Sequence, residues 1–249
     1  MWRFLSRILK TPSKEAATAT ELPRQAEESS EVLHTPRLTV CIEGNIGSGK
    51  TTLLEYFSQY PDVEVVREDV DSWCNVDGHN LLQMAYQEPA RWAHLLQTYV
   101  QLTLAKNHAR GVSEGSKVKL MERSIHSARY VFLENQYRSG HLSHAEYLVA
   151  CEWYRQLASI TDSQADLVVY LQTDPKTCHE RVVGRGRPEE AGLPLRLLQD
   201  LHKRHEEWLL EGRFPAYGPM IVLNASADLP AMLREYRALG ANLGAAGKG

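Results

Sequence analysis

The segment Gly44-Asn45-Ile46-Gly47-Ser48-Gly49-Lys50-Thr51 fills every fixed position of the pattern G-x-x-x-x-G-K-[ST], and Thr52 follows it. Glycines at such a turn let backbone N–H groups face phosphate oxygens with no Cβ in the way. Lys50 is spaced to reach the terminal phosphates of a nucleoside triphosphate, and Thr51 offers a hydroxyl to Mg2+. Three further charged groups fall at or after predicted strands: Glu68; Glu122 with Arg123; and Arg181, Arg185 and Arg187. Two carboxylates and several cations around a bound triphosphate are the working parts of phosphoryl transfer. One carboxylate takes the acceptor's proton, the second helps hold Mg2+, and the cations offset charge on the group in flight. Gly184, Gly186 and Pro188 interrupt the arginine segment, as a lid closing over ATP requires.

Elements must carry these residues to one place. Apolar runs predict strands at 38–43, 63–66, 118–121, 166–172 and 220–223. The run DLVVYLQ is apolar almost throughout, as suits a strand buried on both faces. The phosphate loop leads into a helix reaching about Gln59, and longer helical stretches are predicted at 79–110, 125–139, 143–160, 175–184, 195–211 and 228–239. Strands alternating with helices give an α/β fold: a P-loop NTPase-type parallel sheet of five strands, flanked by helices and carrying a lid. In such a sheet ligands bind beyond the carboxyl ends of the strands, where the charged groups above fall. A guanine-reading Asn-Lys-x-Asp and a switch Asp-x-x-Gly after the second strand are both missing, which argues against a small GTPase.

Composition narrows the class. The chain has 249 residues, 43% hydrophobic and 24% charged, with net charge −3. Near-neutrality gives no electrostatic reason to expect nucleic-acid binding, and no apolar run is long enough to cross a membrane. The four cysteines contain no Cys-x-x-Cys pair, so they read as reduced structural thiols. Arg3, Arg7, Lys10 and Lys14 stand without an acid in residues 1–14, followed by an acidic stretch to residue 34. A basic, acid-free, amphipathic start is the composition of a mitochondrial transit peptide, pointing to the matrix, with cytoplasm or nucleus as the alternatives. The expected organisation is a leader and linker at 1–37, a catalytic domain at 38–240 and a flexible tail at 241–249.

The segments IEGNIGSGKTT, WCNVDGHNLL, LQTYVQLTL, MERSIHSARYVF, ADLVVYLQT, the R-x-R-x-E-E of the lid and LHKRHEEW occur in this order from Leu38 to about Leu239. Together they resemble the deoxyribonucleoside kinase family, its mitochondrial thymidine kinase and insect multisubstrate branches in particular. The resemblance implies ATP- and Mg2+-dependent phosphorylation of the 5′-hydroxyl of a deoxynucleoside, in nucleotide salvage, by a homodimer. It implies that Glu68 deprotonates the 5′-hydroxyl, that Arg123 positions that oxygen and the phosphate, and that Glu122 lies near Mg2+. It assigns Gln97 to the pyrimidine edge and Trp73 and Phe132 to the walls around the base. Tyr86 and Glu190 take the sugar 3′-hydroxyl. On residue type alone, Trp73, Tyr86 and Phe132 would be read as core.

Members specialised for deoxycytidine and purines carry an Arg/Asp pair beside the base, and the matching positions here are Leu104 and Ala128, with Val100 nearby. This uncharged wall favours thymidine and deoxycytidine over purines. Three departures bear on substrate range: Glu68-Asp69 replaces Glu-Pro, predicting a less rigid loop; Ala85 replaces a Met, predicting a wider pocket; and Gly186 and Pro188 alter the lid. The competing functions are a broad-range kinase also accepting purines, a nucleoside-monophosphate kinase and a non-catalytic nucleotide-binding protein.

Overall fold

The computed structural model describes residues 38–244. The predicted leader at 1–37 lies outside the described residues. Five strands form one parallel sheet in the order β2-β3-β1-β4-β5. They are β1 (Leu38–Gly44), β2 (Val63–Val66), β3 (Val118–Glu122), β4 (Leu167–Gln172) and β5 (Met220–Asn224). The sequence reading starts the fourth strand one residue early, because Asp166 turns its carboxylate onto the Thr39 N–H at 2.7 Å. Register pairs Ile42 with Glu122 and Gly44 with Leu171, so the ends of β1, β3 and β4 lie side by side.

Both faces of the sheet are covered, which is why its central strands are apolar on both sides. On one face Val40, Ile42, Leu120 and Val169 pack with Leu53, Leu54 and Phe57 of α1 (Lys50–Phe57) and Tyr236 of the last helix. On the other, Cys41, Met121 and Val168 join a larger cluster that contains Trp73, Val100, Ala128 and Trp208. Between β2 and β4 lie α2 (Val70–Cys74), α3 (Leu81–Gln87), α4 (Pro89–Ala109), α5 (Ile125–Ser127), α6 (Glu134–Arg138) and α7 (His144–Ile160), which supply much of the second cluster, with Leu201 and Trp208 added from a helix after β4. After β4 come α8 (Pro175–Arg185), a 3-10 turn (Pro188–Glu190), α9 (Leu195–Leu209) and α10 (Leu229–Asn242).

Four elements differ from the sequence reading. The single helix expected at 79–110 is two, because Pro89 supplies no N–H and holds Glu88 out of the helical region (ψ 69°). The helix expected at 125–139 is interrupted by a wide π-helical turn over Ala128–Leu133. The short helix α2 was not anticipated; Asp69 starts it by accepting from the Ser72 N–H, so the departure from Glu-Pro supplies a helix cap. The last helix runs through Asn242, past the expected boundary at 240, and residues 245–249 of the predicted tail lie outside the described residues. Among the described residues no helix is long and apolar enough to cross a membrane, and all four cysteines are free.

Candidate active site at the carboxyl edge of the sheet

The loop between β1 and α1 is bent into shapes that only glycine tolerates. Gly44 and Gly47 have φ of 150° and 76°, and a Cβ on Gly47 would stand 2.5 Å from the Cys178 carbonyl. Asn45 braces the loop, donating through Nδ2 to the Leu198 carbonyl (2.8 Å) and accepting from the Ile46 N–H (2.9 Å). Helix α1 begins at Gly49 with no side chain capping its first N–H groups, which leaves the positive end of the helix free for an anion. Lys50 is buried behind this mouth and donates to the Gly44 and Asn45 carbonyls at 3.3 and 2.8 Å. Burial, helped by Arg123, lowers its pKa to about 8, against the pull of Glu122 and Glu68.

Opposite the loop, the ends of β2 and β3 bring Glu68, Glu122 and Arg123 together. The Arg123 side chain is almost wholly buried, with Nε 3.0 Å from Glu68 Oε1 and Nη1 donating to the Gly44 carbonyl at 2.8 Å. Its guanidinium lies 4.6 Å over the Phe132 ring. Arg123 holds φ at 62°, one of two non-glycine residues with positive φ among those described. Burial pushes the Glu68 carboxyl above its ordinary value, opposed by Arg123. A carboxylate so placed is a stronger proton acceptor than a solvated one.

These groups line one end of a cavity of about 720 Å3, a volume in the range of small-ligand sites. Its other end is walled by Trp73, Leu96, Gln97, Val100 and Phe132. Helices α2 and α4 position these side chains, with Trp73 Nε1 donating to Thr103 Oγ1 at 3.0 Å. Gln97 is buried, and its Oε1 has no hydrogen-bond partner among the described residues. Tyr86 also lines the cavity, and burial with the nearby Glu190 carboxylate raises its pKa.

Arg181, Arg185 and Arg187 also line the cavity. Arg181 donates to the Ser48 carbonyl at 3.4 Å. Arg185 and Arg187 both hold the buried Glu190 carboxylate, at 2.5 and 3.1 Å. Gly186 ends α8 in a left-handed turn, φ 69°, letting both arginines point at the same carboxylate. Glu190, assigned from resemblance to the sugar, is thus also the carboxylate that holds Arg185 and Arg187.

A model of the family described as "Deoxynucleoside kinase" matches residues 40–239. The chain belongs to that family. It is 49% identical over 198 residues to human "Thymidine kinase 2, mitochondrial", covering 79% of this chain and 74% of that one. Human "Deoxycytidine kinase" is 37% identical over 194 residues, covering 69% and 75%, and chicken "Deoxycytidine kinase 2" is 36% identical over 195, covering 69% and 74%.

The structure brings most sequence-predicted residues of this deoxynucleoside kinase to the cavity wall: Lys50, Thr51, Thr52, Glu68, Glu122 and Arg123 at one end, the aromatic and amide groups at the other. Gly44, Asn45 and Ser48 are not on the wall and shape the loop from behind. Leu104 and Ala128, expected beside the base, are also off the wall; they are buried to 1% and 0% exposure in the cluster behind Val100. Leu96, Val100 and Leu104 form one row along α4, of which Leu104 continues inward past the cavity, and Ala128 opens the π-helical turn in the same cluster. Wall residues not anticipated include Asn135 and Gln136, just past Phe132 on the same helical stretch, and Leu197 and Leu201 at i, i+4 on α9. The Leu197/Leu201 spacing is legible in the sequence; its direction toward the cavity is not.

Proposed function

We propose that this kinase transfers the γ-phosphoryl group of ATP to the 5′-hydroxyl of a deoxynucleoside, with thymidine and deoxycytidine preferred. The observation that carries this reading is a single cavity whose charged end meets a neutral aromatic end. The phosphate loop, the start of α1 and Lys50 bind the triphosphate, and Arg181, Arg185 and Arg187 close over it. Glu68 accepts the 5′-hydroxyl proton, and Arg123 holds both that oxygen and the transferred phosphate. Trp73 and Phe132 flank the base, Gln97 pairs with its edge through one donor and one acceptor, and Tyr86 with Glu190 takes the 3′-hydroxyl.

Thr51 and Glu122 fit Mg2+, which takes hard oxygen ligands and needs only one or two from protein when phosphates supply the rest. Both line the charged end of the cavity beside the lysine. When bound there, the ion neutralises phosphate charge. Wall composition disfavours a nucleoside-monophosphate kinase: the acceptor end is aromatic, aliphatic and amide (Trp73, Gln97, Val100, Phe132), and the cation beside Phe132, Arg123, is already engaged by Glu68 and the Gly44 carbonyl.

The working unit is a homodimer. Leu95 and Leu102 of α4 and Leu148, Val149 and Trp153 of α7 are exposed, on two helices packed together, and a second copy would cover them. The site of action is the mitochondrial matrix, supported by the basic start of the chain and by the printed name of the human relative. Measuring kcat/KM for the four natural deoxynucleosides tests the substrate reading: thymidine and deoxycytidine lead, and a purine in first place overturns it. Size-exclusion with light scattering tests the dimer, and a reporter fused to residues 1–36 tests import.

A further inference from the structure

Glu43 precedes the phosphate-loop pattern and belongs to none of its positions. It sits at the end of β1 on the same sheet face as Cys41, is completely buried and is absent from the cavity wall. A carboxylate inside an apolar cluster is costly to keep unless it is matched. Its Oε1 accepts from Ser124 Oγ at 2.5 Å and from Tyr217 OH at 2.9 Å, and the Ser127 side chain and the Arg123 charge also favour the ionised carboxylate. Ser124 has spent its only hydrogen on Glu43, and its oxygen accepts from the Ser127 N–H as the N-cap of α5.

Three successive residues of β1 therefore hold the next strand's end. The Ile42 carbonyl accepts from the Arg123 N–H at 2.9 Å, the Glu43 carboxylate holds the Ser124 hydroxyl, and the Gly44 carbonyl accepts from Arg123 Nη1 at 2.8 Å. Arg123, between these grips, keeps a left-handed backbone that an arginine does not choose unaided. Removing the middle grip frees the backbone to relax, and the guanidinium leaves its position between Gly44 and Glu68.

We propose that Glu43 is a positioning residue for phosphoryl transfer, acting through Ser124 to hold Arg123 in its strained conformation and so tie the phosphate loop to Glu68. This rests on the reading of Arg123 and Glu68 given above. Glu43 does not touch substrate. Tyr217, which arrives just before β5 and donates to the same oxygen, fixes the carboxylate's orientation.

The test compares steady-state kinetics with ATP and thymidine across the full-length wild type, Glu43→Leu, Glu43→Gln, Ser124→Ala and Arg123→Ala, each checked for folding by circular dichroism. Glu43→Leu removes both acceptor oxygens at similar volume, whereas Glu43→Gln keeps an oxygen that can accept both bonds. A small displacement of a group at the reacting centre costs up to about 100-fold in rate. Glu43→Leu and Ser124→Ala are therefore expected to lose about 10- to 100-fold in kcat with both KM values within about threefold, and Glu43→Gln to stay within about threefold of wild type. In the Arg123→Ala background Glu43→Leu is expected to add less than about threefold, because both changes disable the same group. Folded Glu43→Leu with near wild-type kcat, a loss confined to KM, or losses that multiply with those of Arg123→Ala would overturn the proposal. If Glu43→Leu does not fold, Ser124→Ala decides on the same criteria. Undiminished turnover in Arg123→Ala would instead overturn the site reading, separating the two failures.

Discussion

The two ends of the cavity are built on different principles. At the phosphate end, backbone geometry and buried charge do the work: Gly44 and Gly47 in glycine-only conformations, Lys50 on two carbonyls, Arg123 between Gly44 and Glu68. At the base end the wall is aromatic, aliphatic and amide, reached by charge at the Phe132 ring under Arg123, and Trp73 and Val100 belong equally to the hydrophobic core. The difference teaches where chemistry and selectivity reside. A change at the charged end should alter the rate of transfer; a change at the neutral end should alter which nucleoside is taken.

Glu68→Gln makes the sharpest break. Loss of the proton acceptor is expected to lower kcat by about 100- to 10,000-fold while thymidine still binds within a few-fold of wild type. Comparing single-turnover rates with thymidine affinity from calorimetry checks this; a kcat near wild type would remove Glu68 from the chemistry. Next comes Gln97→Leu, which leaves a buried base edge unpaired. A lost buried hydrogen-bond pair costs about 1–3 kcal/mol, so kcat/KM for thymidine should fall roughly 10- to 100-fold. The loss should lie in KM, and an equal loss in kcat alone would blur the division between the two ends.

Tyr86→Phe gives a smaller effect. It removes one hydroxyl from the sugar contact, with an expected rise in thymidine KM of about fivefold to tenfold, and a 3′-deoxy substrate should be indifferent to the change. If the variant discriminates against both substrates equally, Tyr86 is a packing residue.

The smallest effect is in proton linkage. Lys50 has its pKa lowered to about 8 from an ordinary 10.5, so the unfolded chain binds more protons than the folded one between these values. Its penalty on folding is complete below about pH 8 and fades as pH rises toward 10.5, so stability gains with pH across that window. Bound phosphates reverse the shift, and ATP binding near pH 9 should take up roughly one proton. Calorimetry in buffers of different ionisation enthalpy reads that uptake, which Lys50→Ala should abolish.

Legibility in the sequence follows the same division. The phosphate loop announces itself because phosphate contacts through backbone N–H groups demand glycines at fixed spacing, and Glu68 and Glu122-Arg123 stand out as charges at strand ends. Trp73, Tyr86 and Phe132 do not announce themselves, since an aromatic residue facing a cavity has the same helical spacing as one facing the core. Resemblance alone marks them, as it marks Leu104 and Ala128, which stand behind the cavity wall in the cluster that holds Val100. The five strands, β2 included, are legible as apolar runs, whereas their order in the sheet is not; the break at Pro89 is written in proline chemistry, and a single helix over 79–110 overlooks it. The grip of Glu43 on Ser124 is not legible, because it joins residues 81 apart in the chain, and nothing in the sequence spacing marks the π-helical turn at Ala128–Leu133.

The central claim is tested most directly by incubating the protein with ATP labelled at the γ-phosphate and with thymidine, then locating the label. Labelled thymidine 5′-monophosphate is expected, formed in proportion to enzyme and lost in Glu68→Gln. Label released to water, or transferred only to an acceptor that already carries a phosphate, would contradict it.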